Sequence, residues 1–543
     1  MQCQRRTDWH VSCKVMSSVS EKSRTGGIAQ MSDIIGNKTL KKQWEKAAGE
    51  WADKLFMIYE DRNGNTAQAT YKEMYDEICK ASNLFIDLGV KKGEPVAVQL
   101  FNSPEFLMCW FGLAQIGAVI VPLNTGYKQT EINYILKKSG ARIVVADSRL
   151  IDSYVSGDVY DLEKLIVARG SSDRSDIAEF SELLKNYDTQ LSEERPLNSE
   201  DVSEILFTSG TTSYPKGVVM THCNALYAGQ IHAWQCNMSP NDRFFTTMPC
   251  FHIDFQYMAV MSALVTGATV VIAEKFSATN YWRQVCQYRA NIADMMPFLV
   301  RTVMSKPTQP WEKDHAIKCI YFSMGMSTKE KEAFEERFGV RFINCYGSTE
   351  TVSCVTCDPL VGARKWPSVG KTAFGYETRI VDRDGNELSP GQIGSIQIKG
   401  VRGRSLAVGY YNDPKATDNC FQGDWFTTGD DGFLDEDGWL YFSDRHSNMI
   451  KRSGESISTT EVENILTTHP CVADAAVLGI DDPLRGQAVK AVVQLRDGEQ
   501  LSPEDIICYC SKYLADFKLP SVVEFCKEFP RTSTGKIKKN LLK

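Results

Sequence analysis

The sequence predicts an α/β chain: a large N-terminal domain of layered α/β subdomains ending in a small β-barrel-like subdomain, then a small α+β C-terminal domain. Three observations carry this expectation. Short apolar runs alternate with amphipathic helical stretches up to about residue 272, which is the pattern of parallel sheets covered by helices. From about Asn344 to Phe442 the texture turns to short strands punctuated by glycine. After Ser443 a compact unit of helix, two strands and helix closes the chain.

Residues 1–30 show no hydrophobic period and read as a disordered extension or the product of an upstream start codon. From Met31 a helix-like pattern runs through Leu40, Trp44 and Ala47. Strands follow at 95–99, 118–121, 142–146, 165–167, 204–207 and 269–272. Phe106 to Val121 is almost wholly apolar, but Gln115, two glycines and Pro122 interrupt it, and it is shorter than the ~20 residues of a membrane span. It reads as a buried helix running into a buried parallel strand. Strands at 379–381, 394–399 and 438–442 make the small subdomain, and a boundary falls at 444–448. Beyond it come a helix at 460–469, strands at 475–478 and 488–495, and a helix from Pro503. The domains are therefore 31–443 and 449–543, joined by 444–448.

A chain of 543 residues with 43% hydrophobic content can bury several domains' worth of core. Its net charge of −7, with no long Lys/Arg run, argues against nucleic acid as a partner. Seventeen cysteines without a repeating pattern read as reduced thiols, so the expected location is the cytoplasm. Cys354-x-x-Cys357 and Cys508-x-Cys510 lack the partners that structural zinc requires, and no apolar segment of a secretory signal follows Arg5-Arg6. The partners expected are small-molecule substrates, with no stable membrane insertion and with homo-oligomerisation left open.

The most informative stretch is Phe207-Thr208-Ser209-Gly210-Thr211-Thr212-Ser213-Tyr214-Pro215-Lys216-Gly217. Hydroxyls and backbone N–H groups can wrap phosphate oxygens, glycine permits close backbone approach, and lysine adds a positive charge. The same composition also suits an ordinary solvated loop. Flanking strand-like runs at 204–207 and 217–220 favour a phosphate cradle and make the chain a user of ATP. It is not the P-loop of kinases, because Lys216 follows Pro215 and precedes Gly217; Gly535-Lys536 fails likewise, since Ile537 follows.

The loop resembles the signature of the adenylate-forming superfamily of acyl-CoA ligases, luciferases and adenylation domains, and the other family signatures follow in order. Asn344-Cys345-Tyr346-Gly347-Ser348-Thr349-Glu350 looks like the adenine and metal motif: Tyr346 and Gly347 suit a purine, Thr349 a phosphate, and Glu350 a Mg²⁺ ion. Thr428-Gly429-Asp430 matches the ribose-binding aspartate, and Arg445, at the start of the hinge, also contacts ribose in the family. Lys451 and Gly454 match the loop lining the coenzyme A tunnel, and Arg531-Thr532-Ser533-Thr534-Gly535-Lys536 carries the adenylation lysine, Lys536. His252 falls where the family places an aromatic gate between acyl site and thiol tunnel. The resemblance implies an AMP-forming acid–CoA ligase using ATP, Mg²⁺ and coenzyme A. Thr208, Glu350, His252 and Lys536 would be its catalytic residues, and a mobile C-terminal domain would rotate about the hinge at 444–448. The sequence departs from the pattern at Ser447, the hinge pivot, and at Ser323-Met324-Gly325-Met326, the strand end that walls adenine.

Further strings resemble bacterial crotonobetaine/carnitine–CoA ligases: Asp33-Ile34-Ile35-Gly36, Ala233-Trp234-Gln235-Cys236, Phe251-His252-Ile253-Asp254 and Asn448-Met449-Ile450-Lys451-Arg452. A short betaine acid such as crotonobetaine, carnitine or γ-butyrobetaine wants aromatic faces and a carboxylate near its trimethylammonium. Trp234, Tyr257, Phe255 and Phe298 offer faces, Asp254 and Asp294 offer carboxylates, and Met324 reshapes the wall; the same aromatics also suit a plain core. Rival readings are a ligase for another short or aromatic acid, a free-standing amino-acid adenylating enzyme, an oxidative luciferase-type enzyme, and a catalytically dead nucleotide-binding protein. The presence of Lys536, Glu350 and Asp430 disfavours the last, and a fused carrier domain has no room after Lys536.

Overall fold

The computed structural model describes residues 33–155, 159–171, 174, 177–208, 215–445, 449–452, 455–482, 485–533 and 535–542. The expected extension at 1–30 lies outside them. Among the described residues the strands form four sheets.

One sheet is built on parallel strands Val119–Pro122, Pro95–Gln99, Ile143–Asp147 and Lys164–Ala168, with Val202–Thr208 beside the first and Lys216–Thr221 turning back antiparallel against it. The second places Arg243–Thr246, Thr269–Ala273, Ile292–Met295, Cys319–Ser323 and Phe342–Gly347 in parallel. Their strands are apolar because both faces are covered. Helix Pro104–Gln115 shows how the sequence enforces this layering: Ser103 accepts a hydrogen bond from the Phe106 N–H, Pro104 opens the first turn, and Phe106, Trp110 and Phe111 are wholly buried. The apolar run 106–121 is therefore core helix plus core strand, as its interruptions predict. Among the described residues no helix is long and apolar enough to cross a membrane.

The small antiparallel sheet contains Glu377–Val381, Gly394–Lys399, Trp425–Leu434 and Leu440–Arg445. This corrects the expectation that the subdomain starts at Asn344. Phe342–Gly347 pairs in parallel with Cys319–Ser323, and Cys354–Cys357 returns antiparallel to it. The glycine at 347 marks a tight turn at the end of a strand of the large sheet, and local texture cannot tell that from the turn of a small barrel.

Past Arg445 the C-terminal unit packs helices Thr459–Thr467 and Pro503–Cys510 on a sheet of Val472–Asp482, Gly486–Leu495 and Val522–Cys526. Asp444 ties it to the strand that precedes it: its buried carboxylate accepts from the Thr459 N–H at 2.6 Å and the Thr460 N–H at 3.2 Å, capping the first helix of the next domain. The hinge positions 446–448, Ser447 included, lie outside the described residues.

Candidate active site

Strands Val202–Thr208 and Lys216–Thr221, which flank the loop expected to face phosphate, pair antiparallel. Phe207 pairs with Gly217 and Thr208 with Lys216, while Ser209, Gly210, Thr211 and Thr212 lie outside the described residues. A Cβ on Gly217 would come within 2.7 Å of the Ile205 side chain, so only glycine lets the two strands close here. Strand Gly409–Tyr410 pairs with the far side of Lys216–Thr221. The Tyr410 hydroxyl donates to Glu350 Oε1 at 2.7 Å, and Lys216 Nζ lies 5.0 Å from the centre of the same ring. Two motifs far apart in the sequence thus meet on one tyrosine, which the sequence reading missed because nothing local marks it.

At the carboxyl end of Phe342–Gly347 the Tyr346 hydroxyl donates to Asp430 Oδ2 at 2.7 Å, joining the adenine motif to the ribose motif. Gly347 permits the turn that carries Thr349 and Glu350, since a Cβ there would lie 2.4 Å from the Ser353 carbonyl oxygen. Thr349 closes this turn by accepting from the Val352 N–H at 3.2 Å. Arg445 stands opposite Asp430 in the ladder of the small sheet. Lys451 pairs with Ser456 in the C-terminal sheet, and Gly454 lies outside the described residues.

On the acyl side, His252 and Asp254 lead into the π-helical segment Asp254–Val260, a geometry that is frequent at functional sites. Ser533 reaches the expected acyl mouth from the C-terminal domain: its Oγ accepts from Asn124 Nδ2 at 3.0 Å and lies 3.4 Å from His252 Nε2. Lys536 faces the same place. Burial and the Lys536 charge together push His252 down to about 3, leaving it neutral at pH 7. Burial pushes the Asp254 carboxyl up, and the charges of Lys536 and His232 pull it back. Behind it, burial drives Asp294 up to about 8, opposed by the Thr246 hydroxyl at 2.7 Å and reinforced by Asp254. Asp294 Oδ1 is buried with no hydrogen-bond partner among the described residues.

The other expected substrate residues are placed differently. Tyr257 is fully buried and donates to Glu204 at 3.0 Å, so it serves the core beneath the site. Trp234 is 49% exposed and meets Phe374 edge-on at 5.6 Å. It lies about 200° around its helix from His232, whose Nε2 accepts from the Cys354 N–H. The ring therefore stands on the opposite face of that helix from His232, whose charge acts on Asp254. Met324 follows strand Cys319–Ser323 at a left-handed φ of 80°, and beside it Gly325 lies against Thr460 of the C-terminal domain.

What holds the C-terminal domain over this mouth is an ionic and aromatic seam. Asp474 accepts from Arg301 at 2.7 Å and Arg531 at 2.5 Å; Arg531 in turn covers the Phe298 ring at 4.3 Å. Gly535, at φ 82°, lies so close that a Cβ would meet Phe298 at 2.8 Å. Phe298, expected as a substrate face, is thus covered by the C-terminal domain.

The AMP-binding enzyme family matches residues 44–411, and the AMP-binding enzyme C-terminal domain matches residues 461–536. The chain belongs to the AMP-binding enzyme family. Among curated AMP-binding enzymes it is 42% identical over 515 residues to a crotonobetaine/carnitine–CoA ligase of Escherichia coli O1:K1, covering 94% of this chain and 100% of that one. A crotonobetaine/carnitine–CoA ligase of Citrobacter koseri is 41% identical with the same coverage. In structure it resembles an anthranilate–CoA ligase bound to anthranoyl-AMP, with a TM-score of 0.86 and 25% identity, covering 94% of this chain and 98% of that one. It also resembles the o-succinylbenzoate–CoA synthetase of Bacillus subtilis with its acyl-adenylate, with a TM-score of 0.81 and 26% identity over 94% of this chain and 99% of that one. This AMP-binding enzyme is an AMP-forming acid–CoA ligase, and the expected large and small domains of the adenylate-forming fold are the ones it has.

Proposed function

We propose that the enzyme joins a short betaine acid, such as crotonobetaine, carnitine or γ-butyrobetaine, to coenzyme A through an acyl-adenylate. The observation that carries the choice of acid is the pair Asp254 and Asp294 behind the Lys536 mouth, with Asp294 Oδ1 buried and without a hydrogen-bond partner among the described residues. A trimethylammonium group donates no strong hydrogen bond, so a buried carboxyl oxygen that has none to lose suits it, and a cation beside the pair favours the ionised form that burial disfavours. The 42% identity to crotonobetaine/carnitine–CoA ligases supports the same reading.

In the first half-reaction the acid's carboxylate attacks the α-phosphorus of ATP and pyrophosphate leaves. Lys536, Lys216 and the loop from Thr208 offset the charge that builds on the phosphate oxygens, and Asp430 with Arg445 holds the ribose. Glu350 is a single hard oxygen donor, and among the described residues no three His, Cys, Asp or Glu side chains could hold a metal together. That donor set fits Mg²⁺, which takes one or two carboxylates and draws its other ligands from phosphates and water. When bound it supplies charge neutralisation on the phosphates. In the second half-reaction the C-terminal domain rotates about 444–448, Lys536 withdraws, and the segment with Lys451 and Gly454 admits the thiol past neutral His252.

The test is CoA-dependent AMP release across crotonobetaine, carnitine, γ-butyrobetaine, benzoate and octanoate, for the wild type and Asp254→Asn. At least one betaine should exceed both neutral acids by about tenfold in kcat/KM, and Asp254→Asn should erase that preference. Benzoate or octanoate outrunning every betaine would refute the assignment and leave the ligase chemistry standing.

A further inference from the structure

Lys216 and Glu350 carry opposite charges and flank one ring. An ammonium and a carboxylate that share one neighbour can pair with each other, and a direct ion pair would withdraw both from a polyphosphate and its metal. Tyr410 contacts both. Its hydroxyl gives Glu350 Oε1 a donor at 2.7 Å, and its face gives Lys216 a cation–π seat at 5.0 Å.

The segment that carries this ring is held on both sides. The Ala407 N–H donates to the Glu350 carbonyl at 2.9 Å, and the Tyr411 N–H donates to the Gly217 carbonyl at 2.7 Å. The Tyr410 N–H donates to Thr417 Oγ1 of helix Pro414–Cys420 at 2.9 Å, and Gly409 makes room for that helix, since a Cβ would meet Thr417 at 2.6 Å. Next to the ring is a cavity of about 170 Å³ lined by Tyr134, Lys138, Lys216, Tyr410, Tyr411 and Asp413. A lysine that lost its aromatic seat has space to swing into.

We propose that Tyr410 is a positioning residue that keeps Lys216 and Glu350 apart and aims each at a different part of Mg·ATP, the lysine at phosphate and the carboxylate at the metal. This rests on the reading of those two residues given under the proposed function. The two arms separate experimentally, because the glutamate arm acts only through magnesium and the lysine arm acts without it.

The experiment measures Kd of the full-length chain for ATP by calorimetry, with Mg²⁺ and with EDTA, for wild type, Tyr410→Phe and Tyr410→Leu. No acid is present, so the result does not depend on which acid is the substrate. Tyr410→Phe keeps the ring and loses the donor. It should weaken Mg·ATP about threefold or more and leave metal-free ATP within about 1.5-fold. Tyr410→Leu loses both and should weaken metal-free ATP about threefold or more, a loss that the Phe variant restores. Equal effects of Tyr410→Phe with and without metal, or no effect of either variant, would overturn the role, and the Phe variant decides alone if the Leu variant does not fold. A wild type that binds neither Mg·ATP nor ATP would instead refute the ATP reading beneath it.

Discussion

Replacing Asp474 by Asn isolates the contact that docks the C-terminal domain. Asp474 takes one hydrogen bond from Arg301 of the large domain at 2.7 Å and one from Arg531 of its own domain at 2.5 Å. The Arg531 contact lies within one domain and survives rotation, so only the Arg301 contact biases docking. A hydrogen bond between charged groups contributes about 1.5–3 kcal/mol. The side chains are only 20% and 9% exposed, so solvent screening takes little from that range. The docking equilibrium should therefore fall about 10- to 100-fold, at about 1.36 kcal/mol per decade. The assay is ATP–pyrophosphate exchange with the best acid of the panel, against thioester formation from supplied acyl-adenylate. Exchange should drop by about fivefold or more, while thioester formation holds within about twofold. Loss of both in equal measure, or exchange within twofold of wild type in a folded variant, would refute the idea that this seam selects the state with Lys536 at the acyl mouth.

Lys536→Ala should cut acyl-adenylate formation by about 10²-fold or more and spare thioester transfer from supplied adenylate, whereas Gly454→Trp should do the reverse; identical profiles would mean one fixed active site. Gly347→Ala drives a Cβ to 2.4 Å from the Ser353 carbonyl, and an overpacking cost of about 1–3 kcal/mol at the turn bearing Glu350 should raise KM for ATP about fivefold or more, while an unchanged KM would show that the turn yields. Asp294 has its folded value raised to about 8, so its contribution to stability is complete below its ordinary value and is lost as pH rises towards 8. Asp294→Asn should thus gain on the wild type between pH 5 and 8, by roughly 4 kcal/mol at about 1.36 kcal/mol per pH unit, and then level off; a difference in unfolding midpoint that stays flat with pH would sink this.

The sequence by itself determined the layered α/β class, several of its strands and the family, because each of these is written locally. Strand runs such as 95–99 and 394–399 carry their apolar pattern in consecutive residues, and the motif around Tyr346 and Glu350 is contiguous. Only the tertiary structure decided what meets what. Tyr410 reaches Glu350 across sixty positions and Ser533 reaches His252 across 281, through sheet pairing and domain docking that no window of residues encodes. The same limit explains Trp234 and Tyr257: both are aromatic and near the right motifs, but one faces outward and the other is spent on Glu204. It also explains the misplaced start of the small subdomain, since a glycine at a strand end looks alike in a barrel turn and in a catalytic one. Side-chain type is a property of the chain, whereas the direction in which a side chain points is set by the packing of every element around it.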